Sequence, residues 1–229
     1  MNNIIIAVPA IIGTILIYIF SIKIHKRYNY PFTLPILIAT CLIILILLLT
    51  NVPYDTYMSG GNWISELLGP AVVALAYPLY KERMVLKNLL IPILSGTLVG
   101  SLFGVVTGVL LTKGFGFDAE IIYTISSKSV TTPVSMAITE SLGGIVPLAA
   151  VFVMIAGISG GVLSKYVFTF IGIHHHLSKG IALGSSSHAI GTATALESSD
   201  LEGSISSIAM IISAMAVSVM TPWLLTILI

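Results

Sequence analysis

The sequence predicts an all-α integral membrane protein. About six transmembrane helices are expected, plus two polar segments that re-enter the membrane or cross it as broken helices, arranged as an inverted repeat. Three observations predict this. Of 229 residues, 56% are hydrophobic and only 8% are charged, against roughly 25% charged in a soluble domain. Apolar runs long enough to cross ~30 Å of hydrocarbon at 1.5 Å per residue recur along the chain. Two serine- and threonine-rich stretches interrupt them.

Ten Lys/Arg against nine Asp/Glu leave a net charge of +1, and the mean hydropathy is +1.06. So few charges cannot clothe a water-facing surface. This excludes an ordinary cytosolic enzyme, a nucleic-acid binder reading phosphates through a basic face and a disordered segment. Most of the chain is solvated by lipid, and residues 1–229 read as a single polytopic membrane domain. The one cysteine, Cys41, excludes an internal disulfide or a Cys-based zinc site. Lying in LIATCLIILILLL, it reads as a small apolar residue.

The first span is Ile4–Ile22, which lacks the positive flank of a secretory signal and is expected to be retained. The second, Leu34–Leu49, completes an N-terminal pair within 1–60. Trp63–Tyr80 is a weaker span, interrupted by Glu66, Pro70 and Pro78. Leu89–Leu111 and Ile145–Leu163 follow, and Ser204–Leu228 closes the chain within 204–229, with Trp223 expected near an interface.

Charges in the links set the orientation. Lys23, His25, Lys26 and Arg27 follow the first span, and Lys81, Arg83 and Lys87 follow the third. Asp55 and Tyr57 fall after the second, and Lys113, Asp118 and Glu120 after the fourth. Short loops rich in Lys and Arg stay in the cytoplasm. That rule puts links 23–31 and 81–88 inside and the N-terminus outside. If the polar segment before it does not cross, the loop bearing Lys165 and Lys179 is also inside. If both polar segments cross, that loop is outside.

The first polar segment, Ile121–Leu142, holds nine Ser/Thr, a Lys, a Pro and a Glu in 22 positions; the second, Gly184–Asp200, holds seven Ser/Thr, a His, a Glu and an Asp in 17. Non-helical backbone at membrane depth is tolerated where it is buried in protein or lines a wet cavity. Broken helices of this kind build substrate sites in secondary transporters. A 60-residue shift aligns Ser126-Ser127-Lys128 with Ser186-Ser187-His188, Thr132 with Thr192, Glu140 with Asp200 and Gly143 with Gly203. One residue of slip also matches Gly96 and Gly100 with Gly157 and Gly161, whose spacing allows close helix packing. The expected repeat units are 89–144 and 145–203, with hairpins meeting near the midplane from opposite faces.

Lys128 is the most informative charge, because an ammonium at membrane depth costs at least about 2.5–3.5 kcal/mol. It either neutralises the carboxylate of a small organic anion, with Ser129, Thr131 and Thr132 completing the shell, or snorkels outward, or pairs with Glu140. Pro133 removes an amide donor and is expected to break the helix there. His188, of the one side-chain type that titrates near neutrality when unperturbed, either carries a proton or packs between helices. Gly191 gives a ligand room, and Thr192 and Thr194 offer hydroxyls. Glu140, Glu197 and Glu66 are further proton-carrying candidates or interfacial carboxylates. His174, His175 and His176 read as a pH-responsive loop with Lys179, since consecutive histidines cannot converge on one ion without irregular backbone; no metal or cofactor is expected. No Ser–His–Asp order stands out and no P-loop is present, so neither a serine hydrolase nor an ATPase is indicated.

KSVTTPVSMAITESLGG at 128–144 and SSSHAIGTATALE at 185–197 resemble the hallmark stretches of the LrgB/CidB family, and the hydrophobic profile agrees across essentially the whole chain. In many members a proline precedes the lysine; here Ser127 does, which bears on the shape of the first hairpin's entry. The resemblance implies a bacterial cell-membrane protein, holin- or antiholin-like, with a smaller holin-like partner of the CidA/LrgA type. It further implies ties to murein hydrolase activity, autolysis and programmed cell death. Relatives of the family also include a plastid translocator of glycolate and glycerate and bacterial pairs linked to pyruvate uptake. The expected function is secondary transport of a small monocarboxylate such as pyruvate, lactate, acetate or glycolate, by a non-enzyme that forms a homo-oligomer, expected to be a dimer. The alternative is a non-transporting regulator of lysis.

Overall fold

The computed structural model describes residues 2–28, 33, 35–67, 70, 73–74 and 76–229. Every extended regular element among them is an α-helix. The chain falls into two compact units, Met1–Ala71 and Val72–Ile229.

In the N-terminal unit, α1 (Asn2–Tyr28) carries His25, Lys26 and Arg27 in its last turn. Basic groups there complement the partial negative charge of the helix end. α2 (Pro35–Thr50) starts on a proline, whose fixed φ suits a first turn. At Asn51 the backbone takes a φ of 52°, and Pro53 stands just ahead of α3 (Tyr54–Ser65). The sequence predicts a link at Asp55 and Tyr57; the structure has a helix there. The reason lies in its packing on α1. Tyr57 Oη lies 2.9 Å from Thr14 Oγ1, and Gly60 is so close to α1 that a Cβ would stand 2.9 Å from Ala10 Cβ. The expected span Trp63–Tyr80 lies partly outside the described residues. Its described parts are the end of α3, a turn at Glu66-Leu67, isolated helical positions at 70 and 73–74, and α4 (Ala76–Lys81).

The C-terminal unit continues with α5 (Arg83–Asn88) and three long helices. These are α6 (Leu90–Gly114), α9 (Val146–Ile171) and α11 (Asp200–Leu228). With the Ala7–Tyr28 part of α1 they are the four described helices long and apolar enough to cross a membrane. α11 is the central one: 61% of its apolar stretch is buried, against 17% in α9. It runs parallel to α6, since Ile93 packs with Ile205, Ile208 and Ile212. Further along, Ser101 Oγ meets Ser213 Oγ at 2.8 Å, and Lys113 Nζ donates to the Leu228 carbonyl at 2.6 Å.

Between α6 and α9 the first polar segment folds back on itself. α7 (Ala119–Ser126) enters from the end where α6 finishes, residues 127–131 turn, and α8 (Thr132–Leu142) returns. The Thr124 hydroxyl accepts from the Ile145 amide at 2.8 Å, fixing the return. Pro133 sits in the first turn of α8, so it opens a helix rather than breaking one. The break is the turn before it. Gly143, with a φ of 78°, ends α8 in the left-handed conformation that glycine adopts without a Cβ penalty.

The second polar segment, α10 (His176–Ser198), also folds back. Its helical run is broken at His188, where φ is 43° and ψ is −130°. Both arms lie on the first half of α11. A Cβ at Gly184 would press on the Ser206 carbonyl and stand 2.9 Å from Ala209 Cβ, while from the other arm Thr192 Oγ1 lies 2.9 Å from Ser206 Oγ. Gly191 seats one arm against the Leu183 carbonyl of the other. Small residues let the two arms approach closely. Both polar segments are therefore hairpins, entering from opposite ends of the unit.

Candidate functional site

The hairpin tips meet beside a column of glycines. On α6, Gly96, Gly100, Gly104 and Gly108 recur every four residues and form one face. A Cβ at Gly96 would lie 3.1 Å from Ile181, and at Gly100 3.0 Å from Ser185 Oγ, both on the second hairpin. At Gly104 it would lie 3.3 Å from Ser129 Oγ, and at Gly108 2.5 Å from Lys128 Nζ, both on the first. One helix face thus receives both hairpins. α9 repeats the device: Gly157 gives room to the His188 ring, Gly160 to the Ser187 hydroxyl and Gly161 to Thr194 and Ile190.

A cavity of about 590 Å³ lies where the tips come together. Its polar lining is Lys128 and Ser129 from the first tip, Ser186 and Ser187 from the second, Thr107 from α6, and Ser159 and Ser164 from α9. The rest is mainly apolar, with Phe152, Ile155 and Leu163 among the lining residues. The cavity opens to the surface on the side where Thr107, Ser159 and Ser186 are exposed; a cleft that is apolar with a few convergent polar groups is what small-molecule sites look like.

Lys128 Nζ donates to the Gly104 carbonyl at 3.1 Å. An ammonium has three donors, so this bond leaves capacity for a ligand. Neither ion pair among the described residues involves Lys128, since both go to Glu202. The alternative pairing of Lys128 with Glu140 is therefore not formed, and Glu140 is exposed on α8. The first tip is rigid: Ser127 Oγ lies 2.7 Å from Ser135 Oγ and 3.3 Å from Thr139 Oγ1. Ser127 thereby ties both arms together.

His188 is 3% exposed. Its Nε2 lies 2.9 Å from the Val153 carbonyl, so the ring donates its N–H to α9. A non-glycine residue held at such a φ persists only where its surroundings over-determine it. The ring does not line the central cavity. Thr131 is buried with no hydrogen-bond partner for its hydroxyl among the described groups, and Thr132 and Pro133 are half-buried in the first turn of α8. Gly191 and Thr192 serve packing between the arms and α11. The Thr194 hydroxyl donates to the Ile190 carbonyl at 3.1 Å. Of the candidate binding residues, Lys128 and Ser129 reach the chamber. Glu197 is exposed on α10, and Glu66 is exposed in the turn after α3. No group of three metal-ligating side chains occurs among the described residues.

Sequence reasoning missed Ser186, Ser187, Gly104, Gly108 and Gly160. The signals were present. The four-residue glycine spacing runs on past Gly100, and Ser186-Ser187 aligned with Ser126-Ser127.

These features define an all-α membrane protein with two opposed hairpins, the first carrying a lysine at its tip. The chain belongs to the LrgB-like family, whose sequence model matches residues 14–227. It is 44% identical over 222 residues to the Bacillus subtilis (strain 168) protein YxaC, covering 97% of this chain and 96% of that one. It is 36% identical over 225 residues to holin-like protein CidB of Staphylococcus aureus (strain Mu50 / ATCC 700699), covering 98% of each. The Staphylococcus epidermidis CidB proteins are similar at 37% identity over 225 residues. No solved structure matches the chain.

Proposed function

We propose that this LrgB-like membrane protein is a secondary transporter of small monocarboxylates, of the size and charge of pyruvate, lactate, acetate or glycolate, and not an enzyme. The observation that carries the reading is the Lys128 ammonium, free of any ion pair among the described residues, at a chamber lined by the tips of two opposed hairpins. A carboxylate there would satisfy the cation, and Ser129, Ser186 and Ser187 would supply hydroxyl donors to a 2-oxo or 2-hydroxy group. Opposed hairpins suit alternating access, since either can yield while the other holds. The antiparallel run of α6 and α9, each followed by a polar hairpin, supports an inverted repeat of 89–144 and 145–203.

Lys81, Arg83, Lys87, Lys165 and Lys179 cluster at one end of the unit and Lys113 at the other, which supports a cytoplasmic placement of the first end in a bacterial cell membrane. Reaction of single cysteines at 165–180 with an impermeant thiol reagent tests that orientation. Purified protein in liposomes, alone and with a holin-like partner, tested against a panel of labelled small carboxylates, tests the transport. Saturable uptake of at least one acid above protein-free liposomes is expected.

The name of the staphylococcal relatives, holin-like protein, favours a second reading: a non-transporting regulator that binds a holin-like partner or its own copy and governs murein hydrolase activity, autolysis and cell death. Under that reading, hairpin-tip substitutions such as Ser186→Ala would leave the lysis phenotype intact.

A further inference from the structure

We propose that Glu202, paired with His176, is the proton-coupling carboxylate of this protein; the inference rests on the transport reading above. Glu202 is the one fully buried carboxylate among the described residues, at 2% exposure. It stands three residues after Ser199, the N-cap of α11, whose side chain accepts from the Glu202 amide at 3.1 Å. In a capping box the acid would reach back to the N-cap amide. Here the Ser199 amide is taken by the Ala195 carbonyl at 3.0 Å, and the carboxylate turns to α10 instead. Its Oε1 lies 2.7 Å from His176 Nδ1 and 3.8 Å from Lys179 Nζ.

The place matters as much as the pair. Glu202 lines a second cavity of about 150 Å³ with Lys165, His174, Lys179, Thr194 and Ser198. Ser164, Phe168 and Leu183 line both this vestibule and the central chamber, so the two share a wall. The arm that carries His176 and Lys179 at its start carries Ser186 and Ser187 at its tip. A charge change at Glu202 is thereby linked to the chamber through a single rigid helix.

His176 is 58% exposed and Glu202 is not, so the imidazole is the water-facing member. A proton from water adds to Nε2, and the Nδ1 proton passes to Oε1. The pair then holds one more proton, as a carboxylic acid beside a neutral imidazole. The discharged carboxylate no longer attracts Lys179, so the ionic hold of the arm on α11 is lost while the hydrogen bond to His176 remains, now donated by Oε1–H to Nδ1; the reverse sequence returns the proton. Other charges around Glu202 are Lys165 from α9, His174 from the link before α10 and Asp200 on α11 itself. Lys81, Glu82, Arg83 and Lys87 belong to the segments packed on α11, and none forms an ion pair with Glu202. His188 is a poorer carrier, because its Nε2 is committed to a backbone carbonyl.

The test uses the full-length protein in proteoliposomes, with labelled glycolate or pyruvate, protein-free liposomes as the blank and two assays. Counterflow without a gradient reads binding and translocation; uptake into an alkaline interior reads coupling. One proton per anion gives about tenfold accumulation per pH unit. Glu202→Gln preserves size and hydrogen bonding and is expected to keep counterflow while accumulation falls to the blank. His176→Gln is expected to slow accumulation and keep counterflow. Wild-type accumulation by Glu202→Gln would overturn the proposal, as would a wild type that counterflows without accumulating. Loss of both assays together in both variants would make the pair a structural staple and also overturn it. A wild type inactive in counterflow with every acid tried would overturn the transport reading itself, and the coupling site with it.

Discussion

Lys128 Nζ rests against the bare Cα of Gly108, at a point where any Cβ would stand 2.5 Å away. The glycine column of α6 therefore does more than pack helices. It holds the ammonium of the first tip at the chamber wall, with the Gly104 carbonyl one turn earlier as its acceptor.

Gly108→Ala should then displace the ammonium without removing it. A charge-assisted hydrogen bond is worth about 1.5–3 kcal/mol, and each 1.4 kcal/mol is tenfold in affinity. The apparent affinity for the carboxylate should fall by about ten- to 150-fold, measured as the half-saturating concentration for uptake. Gly114→Ala, at a position with open space around the Cα, should leave uptake unchanged.

Gly160 meets the second tip in the same way, since a Cβ there would overlap the Ser187 hydroxyl. Overpacking of this kind costs about 1–3 kcal/mol. Gly160→Ala should lower the melting temperature in detergent, and adding Ser187→Ala should recover most of the loss.

His188 tests the difference between a carrier and a strut. His188→Ala removes a buried hydrogen bond worth about 1 kcal/mol and the ring that fills the hollow over Gly157. The melting temperature should fall, and the remaining uptake should keep the pH profile of the wild type.

Glu140 and Glu197 are exposed and make no ion pair among the described residues. Glu140→Gln and Glu197→Gln should each leave the initial uptake rate and its pH dependence at wild-type values.

The fold class and both hairpins were legible because membrane depth is unforgiving. A lysine and a run of hydroxyls inside apolar flanks have few structural explanations. The same rule exposed Lys128 and Ser129. It did not by itself single out Ser186, Ser187 or Gly160, because serine and glycine are ordinary in packed membrane helices and only the repeat alignment and the glycine spacing pointed to them. His188 was legible as either a proton carrier or a helix-packing residue, but its Val153 partner, 35 positions away, was not. Glu202 was hidden in the short link before the last helix, where an acid reads as a cap. Only the commitment of the Ser199 amide to Ala195 frees it for His176. At Asp55 and Tyr57 two polar residues suggested a link, whereas Gly60 and the Tyr57–Thr14 contact let a helix pack on α1.

The most direct measurement compares wild type and Lys128→Ala, reconstituted in equal amount, for initial uptake of a labelled 2-oxo or 2-hydroxy acid. Uptake by Lys128→Ala should fall to the level of protein-free liposomes while expression and melting temperature are retained. Uptake by that variant at the wild-type rate would contradict the account.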